Sequence, residues 1–355
     1  MTTELYNDGT YNNAPTYEER SLLQQTWLIK EIIKPELPNV MDHVEKCINQ
    51  LSSPEKFRMP LTNGNSVSVN TSGAAPDSTS IKGTITRQAG YIVDFQAIIK
   101  LPDFNRGKPI VLKMDLDKQF PLVQINAIIK NLSSVLSLFD ELQQLSELHD
   151  MNLDDIHTFH NKIGKILELL TQSITLLQNP PRELVFPHNN NSFLNDNFSE
   201  SHDICESAHH LVNMELVLFK NEICLDIRNL TKVIKKPWSE IDSKSGLSFS
   251  DKVRDRLKQE RNGKIVEILK EEGLQVEQTS VINNLISSFS ATERITLPQA
   301  SDLLARCVTF NGRVVTECEK VSITTSDPTL ISVSAKLNGL ENKISNHFVN
   351  IQNLS

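Results

Sequence analysis

The stretch FPLVQINAIIKNLSSVLSLFDELQQLSEL, residues 120–148, decides how the rest of the chain has to fold. Taken at spacings of three and four it gives Ile125, Ile128, Leu132, Val135, Phe139 and Leu142. A second row beside it gives Leu122, Ile125, Ile129, Leu132, Leu136 and Phe139. Together they make an apolar face wider than the seam of a two-stranded coiled coil. Within the stretch no glycine or proline follows Pro121, so the helix is expected to run for about 40 Å. That face cannot stay in water, because each buried Leu or Ile contributes about 1.5–3 kcal/mol against ordering entropy. Other segments must cover it.

Three other helices carry suitable stripes. After Asn152, with Asp154 and Asp155 placed for the first turn, Ile156, Ile163, Leu170 and Leu177 recur every seventh residue until Pro180-Pro181. A short connection makes this helix and the first an antiparallel hairpin. The N-terminal helix starts at the capping pair Thr16 and Glu19, and Pro35 and Pro38 predict a kink or break near residues 34–38. The C-terminal helix opens at Ser326-Asp327-Pro328 and carries Leu330, Val333, Leu337, Leu340, Ile344 and Ile351.

Elsewhere the period is two. Short strands are expected at Phe57–Leu61, Ile81–Arg87, Val93–Leu101 and Ile110–Leu116, then a hairpin turning at Lys220-Asn221, and a strand at Val314–Thr325. His188 to Ser201 reads as a loop, Ser248 to Glu272 as a charged peripheral helix, and Val281 to Phe289 and Pro298 to Arg306 as short helices. The expected class is therefore α+β and elongated. An antiparallel four-helix bundle is formed by both chain termini and a central helical hairpin, with one antiparallel β domain beside it. Residues 1–15 form a disordered tail; 16–54, 118–180 and 326–355 form the bundle; 55–117 and 181–325 form the β domain, with a charged insert at about 235–300.

A formal net charge of -8 argues against a nucleic-acid binder, although it leaves room for a local basic patch. Five cysteines, odd in number and without a CxxC pair, read as reduced cytosolic thiols. Nothing approaches the run of about 18 apolar residues that a membrane span needs, so membrane contact is expected through a partner or a peripheral surface.

The densest set of ligand-type residues is 202–210, where His202, Cys205 and His209 could hold a metal. Their spacing matches neither a zinc finger nor HExxH, and a polar lead-in to the hairpin is the simpler reading. His157 and His160 stand three apart on a helix and read more simply as surface histidines. There is no phosphate-binding glycine loop and no nucleophile elbow. The run Asp251 to Glu272 is a solvated face or, more sharply, a docking helix for a partner. By elimination the chain reads as an interaction protein, with no cofactor and no catalytic residue assigned.

The order of elements then adds a resemblance. Phe57-Arg58-Met59-Pro60, Ile81-Lys82-Gly83, Leu101-Pro102, the long helix from Phe120, Phe186-Pro187 and Ile223-Cys224-Leu225 follow one another as in the Rogdi family, which the chain resembles over Glu18–Val233 and Val314–Asn350. It departs from the shorter animal members between Lys235 and about Ala300. The resemblance implies a helical bundle joined to a β domain, and a non-enzymatic subunit of the RAVE complex. In that role the partners are a large WD-repeat β-propeller subunit, a Skp-type adaptor and the catalytic sector of the V-ATPase. The complex returns that sector to its membrane sector, from a cytoplasmic location and recruited peripherally to vacuolar and early endosomal membranes. A helical tether in vesicle traffic is the alternative from another class.

Overall fold

The computed structural model describes residues 16–62, 79–198, 206–207, 209–260, 264–274, 276–277 and 295–354. The expected tail at 1–15 and the expected short helix at 281–289 lie outside them.

Thr16 and Glu19 bond reciprocally and open α1 (Tyr17–Trp27). The chain then widens into a π-helical segment, Leu28–Ile33, and continues as α2 (Lys34–Leu51). Of the kink or break expected near residues 34–38, a break does not occur: the chain stays helical through Pro35 and Pro38. Proline removes an N–H and crowds the preceding turn, and the wider turn just ahead absorbs this, with the Lys34 N–H reaching back to Ile29.

The first sheet has the order β1 (Lys56–Thr62), β2 (Ser80–Gln88), β3 (Tyr91–Lys100), β4 (Ile110–Lys113), all antiparallel, and β5 (Phe120–Pro121) also pairs with β3. β4 stops short of the expected Leu116, which stands 92% exposed. The decisive helix is α3 (Val123–Ser146), and α4 (Leu153–Gln178) follows behind a capping box between Asn152 and Asp155. The expected loop at 188–201 contains a short helix, α5 (Ser192–Asn197), whose Phe193 and the following Phe198 meet Phe95 edge-on at 5.6 and 5.5 Å.

The second sheet brings together β6 (His210–Phe219), β7 (Glu222–Lys232), β10 (Cys307–Phe310) and β11 (Arg313–Thr325) in the order β10-β11-β7-β6. Between β7 and β10 lie α6 (Phe249–Gln259), α7 (Ile265–Glu271), the parallel pair β8 (Val276–Glu277) and β9 (Ile295–Thr296), and α8 (Leu297–Arg306). Asp327 caps the last helix, α9 (Pro328–Asn353).

The α+β class stands, but the finer picture is corrected. The strands are not a single sheet: they lie in two antiparallel sheets and a short parallel pair, and several further helices lie among them. Nor do the helices close on themselves as a bundle set apart from the strands. One apolar core runs from Val44, Ile128, Ile163 and Leu337 on the helices into Phe95 and Ile99 of the first sheet and Met214 and Leu225 of the second. Periodicity identifies a face that must be buried, not the element that buries it, and here sheets share that task with helices. A second, smaller core built on Trp238, Val253, Ile268, Leu269, Ala300 and Leu304 gives the charged insert an interior of its own.

Candidate interaction surfaces

The apolar stripes are spent on the interior. Ile125, Ile128, Leu132, Val135 and Phe139 on α3 are buried, as are Ile156, Ile163, Leu170 and Leu177 on α4 and Leu330, Leu337, Leu340 and Ile344 on α9. All belong to the same core. The insert is treated likewise: Val253, Ile268 and Leu269 turn into the small core, which leaves α6 and α7 no apolar stripe for docking. Arg256 there gathers Glu260, Glu271 and Glu272 within 3.1 Å.

Of the residues named for a metal, His202 and Cys205 lie outside the described residues. His209 is exposed and its carbonyl accepts from Lys232 N at 2.8 Å. Nearby Glu206 pairs with Lys232 at 2.8 Å and Arg313 at 2.5 Å, which hold its carboxyl below the usual range. Among the described residues no group of three His, Cys, Asp or Glu side chains could hold a metal ion.

His157 and His160 do come together, in a cleft of about 440 Å³ between α1, α4 and α9 that Tyr17, Glu18 and Gln25 also line. At its edge α1 meets the end of α9, where the Ser21 hydroxyl donates to the Leu354 carbonyl. His160 stacks on Phe348 with 4.2 Å between ring centres, and its Nε2 is shut off from water without a partner. Leu23 and Trp27, one turn apart on α1, stand 64% and 59% exposed.

The second sheet hides a charge cluster. Arg228 on β7 donates to Asp226 at 2.7 Å, Glu215 at 3.0 Å and Glu317 at 3.1 Å, and lies over the Phe186 ring. Burial works to raise the Asp226 carboxyl, but Arg228, Lys320 and Ser322 outweigh it and hold it low. At Glu215 burial prevails over Arg228 and the carboxyl moves up. Burial, with Asp226 and Glu215, pushes the Cys224 thiol up to about 12, so it stays protonated at neutral pH. These groups neutralise one another and present no free acid, base or thiolate. In the sequence they occupy the wet face of a hairpin, and the cross-strand pairings of Asn213 with Arg228 and of Glu215 with Asp226 are the one signal that they belong together.

Side-chain amides close the free edge of β6. Gln124 of α3 accepts from Leu218 N at 2.7 Å and donates to Leu218 O at 3.0 Å, and Asn191 does the same between Met214 N at 2.7 Å and Val212 O at 3.1 Å. No described helix is long and apolar enough to cross a membrane.

Comparison with known proteins shows the family. The family described as Rogdi leucine zipper containing protein matches residues 24–352. The chain is 43% identical over 353 residues to the Saccharomyces cerevisiae protein named regulator of V-ATPase in vacuolar membrane protein 2, across 99% of this chain and 97% of that one. The apolar rows of α3, α4 and α9 are buried within this one chain. With a match spanning nearly its whole length, the chain belongs to the Rogdi leucine zipper-containing family.

Proposed function

We propose that this chain is a non-catalytic subunit of the RAVE type that regulates the V-ATPase, promoting the return of the detached catalytic sector to the membrane sector and so the acidification of the vacuole. The observation that carries this reading is the end-to-end likeness to a protein named for regulating that pump in the vacuolar membrane. The chemistry of the fold supports it. Its buried charge cluster around Arg228 is paired internally, the stripes of α3, α4 and α9 are consumed by the core, and Cys47 is pushed up to about 11 by burial.

In this role the chain works from the cytoplasm and is recruited peripherally to vacuolar and early endosomal membranes. Its partners are a large WD-repeat propeller subunit, a Skp-type adaptor and subunits of the catalytic sector. Deleting the gene is expected to leave the pump's subunits present but its sectors apart, read by co-precipitation of the two sectors and by vacuolar pH. Sectors that stay associated in the deletion strain, or copurification of SNARE or coat proteins in place of pump subunits, overturn the proposal.

A further inference from the structure

The outer face of the first sheet opposes the charge of the chain that carries it. The protein has a net charge of -8, yet the outward positions of the four strands bear Arg58 on β1, Lys82 on β2, Lys100 on β3 and Lys113 on β4, all exposed. The register places Lys82 opposite Ile98, and Ile98 opposite Val111. Lys100 and Lys113 follow two residues along their strands, on the same face. An apolar pair, 53% and 59% exposed, is thus bordered by lysine on three sides.

Arg106 and Lys108, also exposed, extend the positive field along the β3–β4 connection, where Asp103 and the Glu319 carboxylate, which accepts from Asp103 N at 2.8 Å, are the opposing acids. On the sheet face itself Asp94 lies toward the other end of β3, half-buried against Thr86 at 3.5 Å. Among the described residues no carboxylate pairs with Lys82, Lys100 or Lys113. The inner side of the same strands is core, through Ile85, Phe95, Ile99 and Leu112. Among the described residues, packing therefore accounts for one side of the sheet only.

We propose that this face docks the protein onto anionic lipid headgroups, with Ile98 and Val111 set against the bilayer interface. The residue types select that occupant. Lysine is a compact point charge without arginine's planar fork, which suits a diffuse negative surface better than a fixed carboxylate geometry. Protein interfaces are depleted in lysine and enriched in aromatic residues and arginine, the reverse of what surrounds Ile98. A single-stranded nucleic acid needs aromatic platforms for its bases, and Ile98 and Val111 offer none. Lysines near an anionic leaflet are drawn to it over a Debye length, and the exposed aliphatic pair adds a shallow apolar contact. Such binding is reversible and weakens with salt.

The test is flotation of the full-length chain with vesicles of phosphatidylcholine alone and with phosphatidylserine added. It needs no pump or complex, so its failure leaves the proposed regulatory role standing, and the reverse holds too. Wild-type protein is expected to float with the phosphatidylserine vesicles only, and less as salt rises. The variant Lys82→Glu/Lys100→Glu/Lys113→Glu is expected to lose more than about a hundredfold in partitioning. Lys82→Gln/Lys100→Gln/Lys113→Gln, which adds no repulsion, is to show the same direction with an unshifted melting curve. Wild type that fails to float, or lysine variants that float as well as wild type, overturn the proposal. So does lysine-dependent binding to soluble polyglutamate without binding to vesicles, which assigns the face to an acidic protein segment.

Discussion

The Nε of Arg87 donates to Oδ2 of Asp327 across 2.5 Å, joining residues 240 positions apart, with both side chains closed off from water. Arg87 also donates to the Ala89 carbonyl at 2.7 Å, and Asp327 accepts from Thr329 N at 2.8 Å. One contact thereby fixes the first sheet to the start of α9. A buried pair gains little over an apolar one, but deleting one partner strands the other charge, at a cost of about 3–5 kcal/mol. Arg87→Met is expected to lose that much. Asp327→Asn keeps a cap yet leaves the guanidinium unpaired, and should lose nearly as much. Combining the two changes should recover part of the loss. Strictly additive losses in urea unfolding would show that the pair is not coupled.

Gln124 stands in for a missing neighbouring strand beside Leu218. Its own polarity gives no hint of this, since it lies among the apolar residues of α3 and is itself buried. Gln124→Leu should strand both backbone groups of Leu218, each worth about 1–3 kcal/mol if left unmade. Faster hydrogen exchange at the Leu218 amide, beyond any change in global stability, is the expected readout. An unaltered exchange rate there would mean that water or another group serves that edge equally well.

Gly83 belongs to the Ile81-Lys82-Gly83 motif, and the structure supplies the reason for the glycine. A Cβ at this position would lie 2.0 Å from the Gln96 carbonyl oxygen and 2.7 Å from the Ala97 Cα, both backbone atoms of the paired strand. Neither can swing aside as a side chain does. Gly83→Ala is expected to force the β2–β3 ladder apart and to cost about 3 kcal/mol or more. A variant that melts with wild type would show that the strands separate freely at that point.

The legible part of the fold was the part written in local chemistry. Thr16, Asn152 and Asp327 announce helix starts by their own capping side chains, and Lys220-Asn221 takes the left-handed turn that its residue types allow. Contacts between distant segments were not legible. Pro35 and Pro38 look like a break because the compensating π turn depends on geometry rather than composition. Phe193 and Phe198 look like loop residues until Phe95 is brought to them. The basic face around Ile98 was hidden for a related reason, because its lysines come from three strands and whole-chain charge averages them away.

His160 gives the chain a pH dependence whose direction can be worked out. Its ring is stacked on Phe348, with Nε2 enclosed and unpartnered where α4 meets α9. Burial pushes its pKa below the ordinary 6.5; the backbone at Phe348 opposes this and nearby His157 adds to it. Above that value both folded and unfolded chains hold the ring neutral, so it contributes no pH dependence. On acidification the unfolded chain takes up the proton first, and stability falls until the folded pKa is passed. Glu36 acts in a different window. Its burial, which raises the carboxyl, is outweighed by Lys343 and His347, so its contribution is lost only as the pH falls below its ordinary 4.5. Between pH 6.5 and 4.5, then, His160→Phe should lose less melting temperature than wild type while matching it above that range. Parallel curves across the window would place the titrating group elsewhere, and an offset equal at every pH would report packing alone.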